Sequence, residues 1–595
     1  MVGDLHTAAM ISRDGSVDWL CLPRFDSPAC FAAMLGTEDN GHWSLSPSGE
    51  ILESSRRYWP DSLILETRFR TASGTALVLD FMPPRDEVAD LVRIVRCEQG
   101  SVEFATLLRI RCDYGKVIPW VRHVDGGIAA VAGPDAIYVR SEVELTGRDH
   151  STGAEFTVAE GEQVSFVLTR TDSHADEPGR TDPDSALADT EVYWRDWMSG
   201  CEYRGRWPEQ VHRSLITLKA LTFRPTGGIV AAATTSLPEQ PEGPRNWDYR
   251  YCWLRDSTFT LEALLSCGYT EEATAWRHWL LRSVGGDPAE LQVLYTIDGG
   301  RRIDESELGW LSGYADSSPV RIGNAAAGQF QLDIFGEVLD TLDLARACGI
   351  TQHPDPRRQP SDQIDSAWEV QRLLADAVAA RWTEPDDGLW EIRAERRHFV
   401  HSKVMAWVAF DRMIRGVEKY GLDGPVQSWR QLRDQIHAEV CARGTSEDGT
   451  HFVQSYGSAE LDAALLLLPR VGFLPWDDPR IVATVHAVRD TLTDEAGFVR
   501  RYLAQPDSST DGLAGGEASF LACSFWMVDA LGGIGELAAA ERLFEQLLSV
   551  TNDLGLIAEE YDKRTGMLWG NLPQAYSHVG LINAARRLEG TGVNR

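Results

Sequence analysis

Short apolar runs separated by turn residues fill the first third of the chain. Gly, Asp, Ser and Pro punctuate seven of them: Leu63–Phe69, Ala76–Phe81, Leu91–Cys97, Val102–Ile110, Ile128–Val131, Ala136–Val139 and Val164–Leu168. Many short strands at close spacing are typical of an antiparallel β-sandwich. The pattern therefore predicts an N-terminal β-sandwich domain over residues 1–183.

A change of pattern follows this region. The stretch 172–184 is polar and rich in Asp, Pro, Gly and Thr, which is typical of a linker. Ser185–Met198 then carries apolar residues at helical spacing. We expect a helix that connects two domains, within a linker assigned to residues 184–205.

From residue 208 onward, apolar residues recur near i, i+3, i+4 spacing, which predicts amphipathic helices. Several segments begin or end at Ser, Pro or Gly, as helices often do. The twelve candidates are Pro208–Phe223, Trp253–Cys267, Tyr269–Ser283, Ala325–Gly349, Ser361–Arg381, Ser402–Gly421, Pro425–Cys441, Ser458–Val471, Arg480–Thr491, Ser519–Leu531, Ile534–Val550 and Gln574–Arg587.

Alternating short and long connections between these helices fit six helical hairpins closed into a double-layered barrel. The sequence therefore predicts a C-terminal (α/α)6 barrel over residues 206–595 and, for the whole chain, a multidomain α and β fold. The long connections, roughly 224–252, 284–324, 382–401, 492–518 and 551–573, carry most of the Gly, Trp, Arg and acidic clusters. If alternate connections share one face of the barrel, that face holds the functional site.

Composition and charge narrow the function classes. The 595 residues are 43% hydrophobic and 25% charged, which suits a large folded core. A net charge of -32 repels phosphate backbones and anionic lipids, so nucleic acid and membrane partners are disfavoured. The ten cysteines form no C-x-x-C pair, and the N-terminus resembles no signal peptide, so we expect a cytoplasmic protein with reduced thiols and no metal site.

One short pattern imitates a nucleotide-binding motif. Gly533–Ala538 matches G-x-G-x-x-A, which binds a pyrophosphate only after a buried strand. The preceding Ser519–Leu531 is predicted to be helical, so we interpret the pattern as a helix–turn–helix junction. The sequence contains no Walker A, G-x-S-x-G or H-E-x-x-H motif. Phosphoryl transfer, serine hydrolase and zinc protease activities are disfavoured accordingly.

The segment Asn246–Asp256 packs four aromatic residues, two Arg and two Asp into eleven positions. An Arg-Asp pair at a helix start can be merely a cap and a surface ion pair. The density of rings instead favours a polar cleft, and sugars need that mixture: rings stack on their C–H faces while Asp and Arg hold their hydroxyls. The segment is a candidate sugar site.

Two glutamates outside that segment could carry acid–base chemistry. Glu391 follows Trp390 on a loop, and a carboxyl packed against a ring keeps its proton nearer neutral pH, as a general acid must. Glu559 and Glu560 adjoin on another loop. The alternative for each is an ordinary solvated loop acid. Spacing along the chain cannot pair Glu391 with Glu559, which only a closed barrel would bring to one pocket.

Taken together, these motifs resemble glycoside hydrolase family 15, the family of glucoamylases and bacterial trehalases, over nearly the whole chain. The resemblance rests on Gly3–Thr7, Asp14–Pro28, Trp253–Asp256, His398–Met405 and Asn571–His578. It implies an N-terminal β-sandwich, a linker helix and an (α/α)6 barrel. It also implies inverting hydrolysis of a terminal α-glucosidic bond with release of β-glucose, without a metal or organic cofactor.

The resemblance also implies roles for particular residues. Glu391 would be the general acid and Glu559 the general base, with Tyr249 positioning the water. The remaining residues would contact the substrate: Arg255 and Asp256 grip the hydroxyls of the non-reducing glucose, Trp253 and Trp390 shape its subsite, Arg321 and Arg501 make further contacts, and Glu560 reaches the leaving sugar.

Two departures bear on the substrate. Ile392 follows the acid where glucoamylases often carry a second Glu, and Gln574 stands near a position where they often carry a Trp. Both lie where the leaving group would sit, and the sequence resembles no starch-binding module. We therefore favour trehalose as the substrate, with malto- or isomalto-oligosaccharides as the alternative.

Two other classes of function remain open. One is a non-catalytic sugar-binding protein on the same scaffold, and the other is a lyase or phosphorylase on a related barrel. Both candidate carboxylates argue against the first, and Glu559 argues against a phosphorylase, which would replace the base by an anion site. The expected partner is a small-molecule α-glucoside, and a homo-oligomer is possible.

Overall fold

An antiparallel β domain comes first in the computed structural model, which describes residues 1–351, 360–504, 511–513 and 515–590. Its strands form one hydrogen-bonded sheet of fifteen. They are β1 (Val2–Gly3), β2 (Ala8–Ile11), β3 (Ser16–Cys21), β4 (Ala29–Phe31), β5 (His42–Pro47), β6 (Glu53–Tyr58), β7 (Leu65–Arg70), β8 (Gly74–Phe81), β9 (Ala89–Arg109), β10 (Trp120–Val124), β11 (Gly127–Ala132), β12 (Asp135–Ser141), β13 (Thr146–Arg148), β14 (Ser151–Ala159) and β15 (Gln163–Asp172).

The long strand β9 joins two groups of strands. Its first half pairs with β8 and β15, and its second half pairs with β5 and β14. Residues 89–95 are all buried, whereas residues 102–108 alternate between buried and more exposed positions. The first half of β9 is therefore covered on both faces, and the second half is covered on one face.

The sequence predicted two strands where β9 is one. The turn signal between them, Gln99-Gly100, lies in a bulge at which the register with β8 shifts, and Gly100 has φ +74°. A bulge bends a strand without ending it, because only the extra residue leaves the ladder. The turn residues therefore mark the place where β9 passes from one group of strands to the other.

Helices follow the β domain. Those within the described residues are α1 (Pro183–Ser199), α2 (Pro208–Ala220), α3 (Leu254–Ser266), α4 (Thr270–Ser283), α5 (Asp333–Ala347), α6 (Pro360–Arg381), α7 (Val400–Tyr420), α8 (Val426–Arg443), α9 (Pro479–Leu492), α10 (Leu521–Gly533), α11 (Leu537–Ser549) and α12 (Ala575–Leu588). Helix α1 is the connecting helix that the sequence predicted, capped by the Asp182 carboxylate, which accepts from the Ser185 N–H.

The helices after α1 are arranged in two layers. In the inner layer α3, α5, α7, the 3-10 helix Ala463–Leu467, α10 and α12 contact one another in that order, and α12 contacts α3. The helices α2, α4, α6, α8, α9 and α11 lie against the outside of this ring. Every residue from Leu521 to Leu531 of α10 is buried, as expected for an inner helix, whereas outer helices bury one stripe.

Two predicted helices differ from the structure. Ser458–Val471 contains only the 3-10 helix Ala463–Leu467, because Pro469 lacks an N–H and its ring would clash with the carbonyl four residues earlier. In Ala325–Gly349 the α-helix begins only at Asp333.

In the first part of Ala325–Gly349, backbone N–H groups donate to side-chain carboxylates and not to the carbonyls of a preceding helical turn. The N–H of Phe330 donates to Asp387 at 2.7 Å, and that of Leu332 donates to Asp386 at 3.1 Å. Helix periodicity cannot reveal such long-range capture of backbone groups. The G-x-G-x-x-A segment, in contrast, does join two helices, α10 and α11, as predicted.

Short strands fasten the long connections between the helices. They are β16 (Thr222–Phe223), β17 (Gly228–Ile229), β18 (Thr235–Pro238), β19 (Asn246–Asp248), β20 (Cys252–Trp253), β21 (Leu294–Tyr295), β22 (Ser306–Glu307), β23 (Arg321–Ile322), β24 (Ser519–Phe520), β25 (Glu560–Asp562) and β26 (Met567–Trp569). The predicted connection 492–518 and the predicted barrel end at 595 fall partly outside the described residues. In the part of the chain that the structure describes, each helix is too short or too polar to cross a membrane.

A buried ion pair connects the β domain to the loop before α3. The Arg250 guanidinium donates to Asp248 at 2.6 Å and 2.9 Å, to the Ser27 carbonyl at 2.9 Å and to the Tyr114 hydroxyl at 2.9 Å. Both side chains of the pair are fully buried. Arg250 therefore holds a site loop of the helical domain against the β domain.

We expect Arg250→Met to lower the free energy of unfolding by about 3–5 kcal/mol, because Asp248 would remain buried without its counter-charge. The measurement is guanidinium unfolding followed by circular dichroism. The matched control is Arg148→Met, whose side chain is 92% exposed beside Asp149 and should change stability by less than about 0.5 kcal/mol. Equal midpoints for Arg250→Met and the control would contradict the expectation.

Candidate active site

A cavity of about 80 Å³ opens where the inner helices α3, α10 and α12 begin. Four of the five long connections predicted from the sequence contribute to its wall: 224–252, 284–324, 382–401 and 492–518. The fifth, 551–573, lies directly behind the wall. Loops from distant parts of the sequence therefore meet at one end of the helical ring.

Glu391 occupies a left-handed backbone conformation on the loop after α6. Its φ is +60°, which costs a non-glycine residue energy and persists only where the surroundings impose it. The carboxylate accepts a hydrogen bond from the Trp253 indole N–H at 2.6 Å and lies 3.6 Å from the Arg255 guanidinium. Burial raises the pKa of Glu391, against the opposing effects of Arg255 and Trp253. The strained loop thus aims a carboxyl that retains its proton more readily than usual.

Glu559 lies behind the opposite wall and is fully buried. Its Oε1 accepts a hydrogen bond from the Tyr249 hydroxyl at 2.5 Å, and its Oε2 has no partner among the described residues. Burial, reinforced by the nearby Glu239, raises the pKa of Glu559 to about 8. Gly570 (φ +78°) packs on this side chain, and an added Cβ would lie 2.5 Å from that of Glu559. The glycine leaves the space that the carboxyl occupies.

Two aromatic rings stand between these carboxyls. Tyr249 and Trp253 pack edge to face, with ring centroids 5.4 Å apart. Tyr249 holds Glu559 and Trp253 holds Glu391, so the four side chains form one continuous series. The arrangement presents two differently held carboxyls to one region while the rings keep them from touching.

The start of α3 contributes a charged pair to the cavity. Arg255 is fixed by Asp333 at 3.1 Å and by the Gln331 side-chain oxygen at 2.9 Å. The neighbouring Asp256 lines the cavity, and burial raises its pKa to about 6. Donors and acceptors held this rigidly can recognise a ring of hydroxyl groups without rearrangement.

Two tryptophans form side walls of the cavity. Trp390 donates its indole N–H to Asp462 at 2.8 Å and packs on Trp526 at 5.7 Å between ring centroids. The guanidinium groups of Arg321 and Arg393 lie 4.8 Å and 4.4 Å from the ring centroid of Trp247. Two such cation–π contacts restrain the indole.

Arg321 is held by its contact with Trp247 and by backbone carbonyls. Its guanidinium donates to the carbonyls of Pro244 and Asn246, at 2.9 Å and 3.2 Å, and lies behind Trp247. Arg321 is therefore not among the residues that line the cavity, whereas the predicted contacts Tyr249, Trp253, Arg255, Asp256, Trp390 and Arg501 do line it.

Arg501 sits among three buried glutamates. Its Nη2 contacts Glu239 at 2.9 Å, pairs with Glu517 and lies 4.0 Å from Glu560. Carboxylate oxygens of these glutamates lie within 4.8 Å of one another, which is metal-ligand spacing. The arginine already supplies the positive charge that all three share, so this group does not fit a metal ion.

Glu560 lies deepest in that group. Its side chain is fully buried, and neither carboxyl oxygen has a hydrogen-bond partner within the described residues. Burial, with the neighbouring glutamates, raises the pKa of Glu560 well above its usual range, which favours the protonated carboxyl. Glu560, like Glu559, lies outside the cavity lining.

Several site residues were missed by the sequence reasoning. Glu239, Arg245 and Glu517 surround Arg501, and Asp333 holds Arg255. Arg245 directly precedes the Asn246–Asp256 segment and could have been proposed from it, but Glu239, Glu517 and Asp333 adjoin no motif, so no local signal could have identified those three. Arg393, in contrast, follows Glu391 by two residues and could have been proposed from the same loop.

Two protein-family models match this chain. The model of Glycosyl hydrolases family 15 matches residues 206–586, and the model of the trehalase-like N-terminal domain matches residues 1–194. A protein named Trehalase from Mycolicibacterium smegmatis is 40% identical, over 98% of this chain and 89% of that protein.

Trehalases from Mycobacterium tuberculosis and Thermoplasma volcanium are 40% and 33% identical, over 98% and 99% of this chain and 88% and 92% of theirs. Among solved structures, a bacterial glucoamylase complexed with acarbose matches with a TM-score of 0.72 at 13% sequence identity, covering 99% of this chain and 93% of that one. At that identity the match concerns the fold alone: a β domain followed by a helical domain.

Proposed function

The chain belongs to glycosyl hydrolases family 15 and is a glycoside hydrolase, and we propose that it hydrolyses trehalose with inversion of the attacked anomeric carbon. The observation that carries the proposal is the series Glu559–Tyr249–Trp253–Glu391 at one cavity. Its two carboxyls are held separately, as inverting hydrolysis requires.

We infer the complete fold from the arrangement of elements. The two groups of strands that share β9 support a β-sandwich over 1–183, and α1 supports a linker helix within 184–205. The closed ring of inner helices with outer helices against it supports an (α/α)6 barrel over 206–595. A cytoplasmic location stays a prediction of the sequence.

Glu391 is proposed as the general acid. Burial raises its pKa, which favours the protonated form, and the Trp253 indole orients its carboxyl at 2.6 Å. In the reaction its proton passes to the glycosidic oxygen while the bond from that oxygen to the anomeric carbon breaks.

Glu559 is proposed as the general base. It takes a proton from a water molecule that attacks the anomeric carbon from the face opposite the leaving group. Tyr249, whose hydroxyl donates to Glu559 at 2.5 Å, fixes the carboxylate and helps position that water. The carboxyls of inverting enzymes stand about 6.5–9.5 Å apart to leave room for it.

The remaining residues bind sugar. Arg255 and Asp256 are proposed to hold hydroxyls of the glucose that is attacked, with Trp253 and Trp390 as its walls and Arg501 at its edge. Arg321 and Glu560 are proposed to act through neighbours, since Arg321 backs Trp247 and Glu560 lies beneath Arg501.

The leaving-group side favours a small substrate. Trp247, restrained by two arginines, forms a wall there, and Arg393 is tied to Glu305 at 2.8 Å. Gln574 lines the cavity, whereas Ile392 is buried and does not. The expectation that Ile392 lies at the leaving group is therefore wrong, whereas Trp247 and Gln574, together with relatives named Trehalase at 40% identity, support a disaccharide.

The anomeric form of the first products tests the proposal. Inversion of one carbon of trehalose yields one β-glucose and one α-glucose, because the leaving glucose keeps its configuration; retention would yield α-glucose twice. Proton NMR within the first turnovers should give both anomers in equal amounts. Detection of α-glucose alone would contradict inversion.

A substrate panel separates the alternatives. We expect kcat/KM for trehalose to exceed that for maltose, isomaltose and maltotetraose, all read by glucose release. Preference for maltotetraose would favour a glucoamylase-type hydrolase, the alternative that the sequence resemblance left open. Binding of every sugar without release of glucose would indicate a non-catalytic sugar-binding protein.

Tyr249→Phe should move the acidic limb of the kcat/KM–pH profile to higher pH. Burial raises the pKa of Glu559, and the Tyr249 hydrogen bond opposes that effect, so its loss raises the pKa further. A base acts only when ionised, and a higher pKa therefore demands a higher pH. We also expect kcat/KM at neutral pH to fall about 10-fold or more, since a hydrogen bond to a charged group contributes about 1.5–3 kcal/mol.

The matched control for Tyr249→Phe is Tyr251→Phe, the same change two positions along and outside the cavity lining. It should leave the pH profile in place. A Tyr249→Phe profile that coincides with that of the control would show that the phenol does not act on Glu559.

A further inference from the structure

The β domain exposes an apolar strand edge. The active-site cavity lies in the other, helical domain. Strand β10 (Trp120–Val124) pairs only with β11 and ends the strand order of the sheet. Trp120 is 87% exposed, and Ile118 and Val121 are about half exposed. Exposed apolar edges are unusual in monomers, because their unpaired backbone groups can bind another strand.

The backbone of this edge is free to pair. Among the described residues, no backbone partner is found for the outer N–H and C=O groups of residues 118–124. Pro119 is the only residue of that segment without a donor. No bulge interrupts the register of β10 with β11, so the edge is regular over residues 120–124.

A groove of about 510 Å³ adjoins the edge. Its lining combines apolar side chains, among them Leu108, Ile110 and Ile128, with the polar side chains of His123, Arg148 and Asp149. Protein interfaces combine an apolar centre with polar surroundings, so a groove of this kind beside an unpaired strand is suited to covering by protein.

Charge points to the class of protein. The whole chain carries a net charge of -32, yet in the segment 113–125 Lys116 and Arg122 balance Asp113 and Asp125. Two copies of this chain repel each other over most of their surface. The repulsion is weaker where the charge of the surface is locally balanced.

We propose that β10 of one copy pairs antiparallel with β10 of a second copy, forming a symmetric dimer through a continuous sheet. A two-fold axis at Val121 places Trp120 directly opposite Arg122 of the other copy, twice, and Val121 opposite itself. Residues opposite each other in neighbouring strands lie about 4.5–5.5 Å apart, which suits a cation–π contact between Trp and Arg. A register centred on Arg122 would instead oppose two like charges.

The proposal concerns assembly and does not depend on the substrate. The active-site cavity has no residue of β10 in its lining, so dimer formation requires no change there. The apolar segment 117–121 and the adjoining groove are covered in the dimer. The pairing uses one patch twice, which closes the assembly at two copies.

Sedimentation velocity and light scattering of the purified full chain test the proposal. The wild type should change from monomer to dimer as its concentration rises, and the dimer should tighten at higher ionic strength, because salt screens the repulsion between acidic chains. Trp120→Asp should raise the dimer dissociation constant about 30-fold, as loss of a central aromatic anchor does. A wild type that remains monomeric throughout would overturn the proposal.

Two controls keep the result interpretable. Leu537→Asp removes a side chain that is 53% exposed on α11 and should leave dimerisation unchanged. Should Trp120→Asp misfold, hydrogen–deuterium exchange of the wild type gives an independent measurement: amides of residues 118–124 should gain protection as concentration rises. Unchanged exchange there, or equal dissociation constants for Trp120→Asp and wild type, would refute the pairing.

Discussion

Glu391→Gln is expected to lower kcat for trehalose hydrolysis about 10²–10⁴-fold, the usual contribution of a positioned acid or base. The amide keeps the shape of the side chain and its contact with the Trp253 indole at 2.6 Å but has no acidic proton to give. Circular dichroism and the melting temperature should match the wild type, because a neutral group replaces a partly buried carboxyl.

A substrate with a good leaving group distinguishes loss of the acid from general damage. Fluoride departs from α-glucosyl fluoride with little protonation, so Glu391→Gln should hydrolyse it far better than trehalose, relative to wild type. The matched control is Glu395→Gln, an exposed glutamate of the same loop, which should retain wild-type activity. Equal losses on both substrates would remove Glu391 from the role of acid.

Glu559→Gln is expected to abolish hydrolysis of both substrates, with a loss of at least about 10²–10⁴-fold. The attacking water still needs a base when the leaving group is fluoride, so the fluoride offers no rescue. The amide retains the Tyr249 contact at 2.5 Å, and removal of a buried ionisable group should not destabilise the fold. The measurements are initial rates on both substrates and the melting temperature.

Glu560→Gln provides the comparison for the base. It is the adjacent residue, equally buried and, like Glu559, outside the cavity lining, but its carboxyl accepts no hydrogen bond from Tyr249 or from any other described residue. Replacement by a neutral amide of the same size should therefore keep activity within about tenfold of wild type. If Glu560→Gln is inactive and Glu559→Gln is not, the two glutamates exchange roles and the proposed mechanism must be redrawn.

Together the two acid–base variants yield a distinctive pattern. Hydrolysis of α-glucosyl fluoride should survive in Glu391→Gln and disappear in Glu559→Gln, although each variant replaces one glutamate by glutamine. The structure gives a reason to expect this difference between two similar carboxyls. Glu391 faces the cavity beside an arginine on a strained loop, and Glu559 is fully buried behind a tyrosine. Burial raises the pKa of both, so their positions distinguish the proposed acid from the proposed base.

Much of the architecture could be predicted from local pattern. Apolar periodicity located the connecting helix α1 and most helices of the helical domain, because the apolar residues that an amphipathic helix buries recur within a few turns of sequence. The prediction was wrong over Ser458–Val471 and the start of Ala325–Gly349, where Pro469 or distant carboxylates decide the backbone. A local sequence pattern contains no information about a hydrogen-bond partner that comes from a distant part of the chain.

The residues of the candidate site also fall into two groups, those that the sequence identified and those whose placement required the structure. Glu391 and Asp256 could be singled out because each lies in a short motif dense in aromatic and charged residues. The placement of Arg321 behind Trp247, and of Glu560 beneath Arg501, could not be foreseen, because it depends on packing across the barrel.

By itself the sequence determined the order of the two domains, the resemblance to family 15 and the two glutamates to test, since each is encoded in short stretches of chain. Only the tertiary structure decided which groups meet. Tyr249 lies 310 positions from Glu559, and Trp253 lies 138 from Glu391. Closure of the helical ring brings these partners together, and burial within it raises the pKa of both carboxyls because water is excluded.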